Sequence, residues 1–105
     1  MKATEPGPVP KTRAGLTFAC FSKVQGWLDE VKVVFLGPSE RLLAEDPDIR
    51  KVARDMAELD PPVACKMISD QQGISDKITE IGLNVDFVGT IISGFIKDGC
   101  VPMVF

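Results

Sequence analysis

The run Val31-Lys32-Val33-Val34-Phe35-Leu36 constrains this chain more than any other segment. It is too short and too rich in β-branched residues for a helix, and Gly37-Pro38 stops it. Its nearly continuous apolar character is that of a parallel strand covered on both faces. Around it, short runs of this kind alternate with segments of helical spacing. That alternation predicts an α/β fold with a mainly parallel sheet flanked by helices. Its crossovers are expected to be right-handed.

From Thr12 to Trp27 the apolar residues Leu16, Ala19, Cys20, Val24 and Trp27 fall mostly three or four apart, predicting a helix with one apolar stripe. Thr12 is placed to cap it and Gly26 to weaken its far end. Ser39 is placed to cap a helix through Ala44, and after Pro47 a further helix is predicted over Asp48 to Leu59. Ile49, Val52, Ala53 and Met56 should face inward there. Lys51 with Asp55, and Arg54 with Glu58, have the spacing of surface ion pairs. Val63 to Met67 reads as the next strand, with Val63, Cys65 and Met67 on one face. Ser75 should cap the helix Asp76 to Ile81, which Gly82 closes. A third strand is expected over Asn84 to Val88, and Gly89-Thr90 should open the helix Ile91 to Lys97. Cys100 to Phe105 reads as a fourth strand, placed at an edge because Pro102 has no N–H to donate. The leader 1–11 carries Pro6, Pro8 and Pro10, which excludes a helix there. The expected architecture is a single three-layer domain over 12–105 with a sheet of about four to five strands.

With 105 residues the chain has room for one core. Its net charge of −3 and the interleaving of basic with acidic residues argue against nucleic acid and against an anionic membrane surface. No apolar run approaches the roughly 20 residues of a spanning helix. Met1 to Pro10 has no apolar block, so it does not read as a secretory signal. Three widely spaced cysteines make a poor disulfide framework and suit a reducing cytoplasm. There is no histidine and no Cys-x-x-Cys, so no metal site is expected. Neither a P-loop nor a Gly-x-Gly-x-x-Gly turn is present, and no cofactor is expected.

Cys65 is the residue of chemical interest. In open α/β sheets ligands gather beyond the carboxyl ends of the strands, where the strand Val63 to Met67 delivers this thiol. Ser69-x-x-Gln72 has the form of a capping box, so a helical turn should start four residues after the cysteine. Its N–H groups and positive end would favour the thiolate. The competing reading is that a cysteine on a strand is a small core hydrophobe. Lys66 should point to the opposite face. Cys20 is expected in the core of the first helix and Cys100 nearer the surface, with no spacing that argues for a Cys65–Cys100 pair. Gly37-Pro38-Ser39, between a strand and a helix, resembles a place to hold an anion, although an ordinary strand-to-helix turn reads better. Asp70, Asp76 and Asp86 read as solvated acids rather than an acid–base pair. The segment Ile91 to Ile96 is apolar around most of its circumference, which favours burial between subunits of a homo-oligomer.

From Thr12 to Phe105 the sequence resembles the DsrE/DsrF-like family of small α/β sulfur-relay proteins. The residues that carry the resemblance are Asp29 to Pro38, the Leu42-Leu43 helix, the Cys65 strand with Gly73-Ile74 after it, Gly89, and the hydrophobic segment at Cys100 to Phe105. The resemblance implies a homo-oligomer, often a trimer or hexamer. It also implies that Cys65 carries sulfane sulfur as a persulfide and exchanges it with a small sulfur-carrier protein. In that role the turn of Ile68, Ser69, Asp70, Gln71 and Gln72 would stabilise the anion through its N–H groups. The sequence departs from the family where the Pro-rich leader replaces a first strand, leaving the sheet to be completed by Met1 to Thr4, by another chain, or not at all. The other reading of the same fold is a non-catalytic oligomeric interaction module.

Overall fold

The computed structural model describes residues 8–105, with side chains from residue 11 onward. In chain order its elements are α1 (Pro8–Val24), β1 (Val34–Phe35), α2 (Ser39–Glu45), α3 (Pro47–Leu59), β2 (Val63–Cys65), α4 (Lys66–Gln72), α5 (Ser75–Ile81), β3 (Asn84–Asp86) and α6 (Val88–Lys97). The first helix therefore starts at Pro8, inside the segment where proline was expected to exclude one. Pro8 and Pro10 lie in the first turn, where a backbone N–H has no helical acceptor and its loss is harmless. The rest of the leader lies outside the described residues. At its far end α1 stops at Val24, and Gly26 turns the chain with φ of +70°.

The three strands pair in parallel in the order β1-β2-β3, so β2 is central. Val34 and Phe35 lie beside Val63 and Ala64, and Val63, Ala64 and Cys65 beside Asn84, Val85 and Asp86. The ladder reaches one residue further where the Val63 N–H donates to Val33 O at 3.0 Å and the Asn84 N–H to Pro62 O at 3.0 Å. Ala64 is wholly buried on the central strand, where its small side chain lets helices close on the sheet. Leu43 of α2, Ile49 and Ala53 of α3, Ile78 of α5 and Phe35 of β1 meet there in one core. Each large side chain buried in it contributes about 1.5–3 kcal/mol of transfer free energy.

The helices flank the sheet, as the strand–helix alternation predicts, but the sheet is narrower than the expected four to five strands: the described residues form three. Cys100 to Phe105 does not pair. Pro102 removes a donor from that run, Val101 and Val104 are 84% and 96% exposed, and the Phe105 ring lies against Gly15 of α1 instead.

Local capping decides several boundaries. Asp46 caps α3, its Oδ1 accepting from the N–H groups of Asp48 at 2.9 Å and Ile49 at 3.1 Å, with Pro47 in the first turn. Ile49, Ala53 and Met56 face the core as their spacing requires. The expected pairs Lys51–Asp55 and Arg54–Glu58 do not form. The ion pairs among the described residues join Arg13 to Asp46 and Asp48, Lys32 to Glu30 and Asp60, and Lys66 to Asp70. An exposed i,i+4 pair gains only about 0.3–0.5 kcal/mol, so spacing alone does not fix it; Lys66–Asp70 has that spacing and forms. Ser39 and Ser75 open α2 and α5 without serving as side-chain caps, and α6 begins at Val88, ahead of the expected Ile91.

Candidate functional site

Cys65 is both the last residue of the central strand and the N-cap of α4. The helix starts at Lys66, immediately after the thiol, rather than at a turn four residues later. Two consequences follow from that early start. Met67 leaves the strand face on which alternation placed it and is 55% exposed on the helix. Ser69 lies inside the helix instead of capping it, so the capping-box reading does not hold.

The five residues expected to form an N–H cradle are helical. Of these only Ile68 lies within the first turn, where N–H groups lack a helical acceptor; Lys66 and Met67 supply the others. Ser69 is fully buried, with its Oγ donating to Ser75 Oγ at 2.7 Å and lying 3.2 Å from Lys66 O. The Ser75 hydroxyl donates in turn to Asp70 Oδ1, and Lys66 Nζ donates to Asp70 Oδ2 at 2.8 Å. This polar chain ties α4 to α5. The hydrogen bonds from Lys66 and Ser75 hold the Asp70 carboxyl below the ordinary carboxylate range, and Asp70 pushes the Lys66 ammonium up. A surface depression of about 350 Å³ is lined by Asp70, Gly73, Ser75 and Asp76. Gln71 is exposed, and Gln72 is half-buried with its Oε1 lacking a partner.

Cys65 itself is 5% exposed. It is a buried residue, as the core-hydrophobe reading expects. Its charged neighbour Lys66 is engaged with Asp70, and the Cys65 side chain makes no cap hydrogen bond to the start of α4. Cys20 is half-buried, and burial followed by the nearby Asp55 pushes its thiol up, which disfavours a nucleophilic role. Cys100 lies near enough to Lys32 to influence its protonation, and Lys32 precedes β1. That places Cys100 by the amino ends of the strands, across the sheet from Cys65, and the two do not pair. The described residues hold no group of three or more acids or cysteines arranged to bind a metal.

The anion reading of Gly37 and Ser39 meets a different obstacle. The Gly37 N–H, at φ of +92°, donates to Oε2 of Glu40 at 3.2 Å, so a carboxyl group already holds the place an anion would take. Ser39 makes no cap bond. Glu40 is a residue that sequence reasoning passed over. Its side chain is entirely buried, its Oε1 has no hydrogen-bond partner, and burial pushes its pKa up to about 7 against the opposing pull of the Gly37 N–H. The only sequence signal was an acid three residues after a glycine and just ahead of Leu42-Leu43.

No family model matches the sequence, and no curated protein matches it. The fold is similar to the solved structure of a conserved protein of unknown function from Bacteroides thetaiotaomicron, with a TM-score of 0.78 and 23% identity over 91% of this chain and 84% of the other. At that identity the likeness is one of fold alone. Among the described residues no helix is long and apolar enough to cross a membrane.

Proposed function

We propose that this protein is a sulfur carrier that holds sulfane sulfur as a persulfide on Cys65 and passes it to a partner thiol. The observation that carries this reading is the position of Cys65 at the carboxyl end of the central strand and at the N-cap of α4. There the first-turn N–H groups of Lys66, Met67 and Ile68 have no helical acceptor and are free to donate to the outer sulfur of a persulfide. The resemblance to DsrE/DsrF-like proteins supports the same assignment, with a small sulfur-carrier protein as acceptor and a trimeric or hexameric assembly in the cytoplasm.

The chemistry needs no imidazole. The Cys65 thiolate attacks a sulfane sulfur of a polysulfide, forming a new S–S bond as the polysulfide's own S–S bond breaks. The shortened polysulfide leaves with the electron pair. Cys65 is thereby oxidised to the persulfide, and the donor is reduced. Attack by a partner thiolate on the outer sulfur then releases Cys65 as the thiolate. Because Cys65 is buried, both the donor and the partner thiolate reach it only when its surroundings move.

Mass spectrometry after incubation with polysulfide tests this. The wild type should gain one or more sulfur atoms reversibly with reductant, Cys20→Ser and Cys100→Ser should behave alike, and Cys65→Ser should gain none at that site. An equal adduct in Cys65→Ser would sink the assignment.

A second reading, an oligomeric interaction module of the same fold, is favoured by a specific observation. Phe18, Phe21, Val24, Trp27 and Leu28, at the end of α1 and the turn after it, are 41–64% exposed. Apolar exposure on that scale marks an interaction surface. In this reading Val101 to Phe105 joins a sheet as a fourth strand only on association.

A further inference from the structure

Glu40 is the one acidic residue among those described that is fully buried. Its Oε2 accepts from the Gly37 N–H at 3.2 Å, and its Oε1 has no partner. Such a site suits the neutral acid, because a buried carboxylate needs both oxygens hydrogen-bonded or paired with a cation. Four helices pack on α2, namely α1, α3, α4 and α5. The fully buried hydroxyls they bring are Ser22 of α1, which has no partner, and Ser69 of α4, which is engaged with Ser75. Among their charged side chains, Arg13 pairs with Asp46 and Asp48, and Lys66 with Asp70. None of the others, from Lys23 of α1 and Arg50 of α3 to Asp76 and Lys77 of α5, acts on Glu40, whose protonation answers to burial and to the Gly37 N–H.

Little else fastens the first turn of α2. The Glu40 N–H donates to Gly37 O at 3.1 Å and the Arg41 N–H to Pro38 O at 3.3 Å, both across the tighter three-residue spacing whose geometry is poorer. Ser39 adds no cap bond. Gly37, at φ of +92°, is a joint about which the chain can swing without a Cβ in the way. One turn later Leu43 is wholly buried in the core with Phe35 and Ala64, which fixes the second half of the helix. A charged Glu40 therefore has a shorter way to water than unfolding of the whole chain, through release of residues 37–41 alone. Cys65 follows Ala64 on β2 and alternates to the opposite face of the sheet, so this region stands apart from the thiol.

We propose that Glu40 is a proton-operated latch on the first turn of α2. As the neutral acid it stays inside and holds Gly37. As the carboxylate it turns out to water about Gly37 and opens residues 37–41, while Leu43 keeps the rest of α2 in place. The closed form binds the proton more tightly, burial having raised the carboxyl from 4.5 to about 7. Opening therefore grows as pH rises between those two values and levels off above them. The latch is independent of the role proposed for Cys65.

Amide hydrogen exchange of the full chain at pH 5 and pH 8, corrected for the intrinsic exchange rate, tests the latch. In the wild type the Gly37, Glu40 and Arg41 amides should open roughly fifty-fold more often at pH 8 than at pH 5. Low urea should leave that opening unchanged, since a local opening exposes little surface. The Ala53 and Met56 amides of the core should open more rarely and with the urea dependence of unfolding. Glu40→Gln keeps the acceptor for Gly37 and cannot ionise, so its Gly37 and Arg41 amides should open equally at both pH values. Wild-type opening at 37–41 that is the same at both pH values would overturn the proposal, as would a rise in Glu40→Gln equal to that of the wild type. So would a urea dependence at 37–41 matching that of Ala53 and Met56, because Glu40 would then leave only when the whole chain unfolds. The wild-type measurements need no variant, so they decide the matter even where Glu40→Gln does not fold.

Discussion

Glu40 has the most unusual environment of any titratable side chain described. Burial raises its pKa from the ordinary 4.5 to about 7, so the folded chain binds this proton more tightly than the unfolded chain does. Folding is then linked to proton uptake between those two values, and stability falls as pH rises through that window. Above about 7 the loss is complete. Glu40→Gln keeps the acceptor for the Gly37 N–H and removes the charge. It should leave stability almost unchanged near pH 4 and raise it by about 2 kcal/mol at pH 8, read from urea unfolding at both pH values. A variant equally stabilised at both would mean that folding leaves the Glu40 pKa where it lies in the unfolded chain. The residue's importance was invisible in sequence, where a glutamate in the first turn of a helix reads as a favourable surface acid. Its burial depends on α1, α3, α4 and α5, all of which pack on α2.

Among the elements, α3 was legible from the spacing of Ile49, Ala53 and Met56 after Pro47, whereas its cap was not. Asp46 was passed over, although the carboxylate and the N–H groups from which it accepts are separated by only two or three residues. Asp46→Ala should lower stability by about 1 kcal/mol, visible as a lower Tm. Ser69 and Ser75 have the same cap chemistry and are used otherwise, because the contact between α4 and α5 brings their hydroxyls together. The junction at Cys65 was legible as a strand end but not as an immediate strand-to-helix passage. Nothing in Lys66-Met67-Ile68 distinguishes a strand's last residues from a helix's first, and the pairing of Cys65 with Asp86 decides it. Gly15 on α1 shows the reverse dependence. A Cβ there would meet the Phe105 ring at 2.5–2.8 Å. Because that ring belongs to an exposed segment, it can yield. Gly15→Ala should therefore release Val101 to Phe105, seen as faster backbone amide exchange at 103–105, while α1 gains about 1 kcal/mol of helix propensity. Unchanged exchange there would mean that the ring does not depend on the glycine.

Taken as one body, the protein leaves much apolar surface uncovered. The band from Phe18 to Leu28 is joined by Phe87 and Ile96, which are 60% and 51% exposed and flank or belong to α6. The apolar circumference of α6 predicted a buried helix, yet in the single chain only Val88 of that helix is fully buried. Association between copies would bury both regions. Sedimentation at micromolar concentration should show an assembly larger than one chain, and Phe21→Glu should dissociate it by placing a charge among apolar side chains. A wild type that sediments only as a monomer would leave the exposed band to a different partner and remove the oligomeric reading.

What the sequence by itself determined were the features set by neighbours along the chain. These are the strand–helix alternation, the parallel sheet it requires, the inward face of α3, and the delivery of Cys65 to the carboxyl end of a strand. Each follows from the repeat of apolar residues and from turn chemistry within a few positions. Tertiary structure decided what depends on residues far apart in sequence. It left Cys100 to Phe105 out of the sheet, started α4 at Lys66, gave the Gly37 N–H to Glu40, and left Lys51 and Arg54 without their expected acids. The physical reason is common to all four: a hydrogen-bonding or charged group takes the partner that packing brings to it, and local spacing does not contain that information.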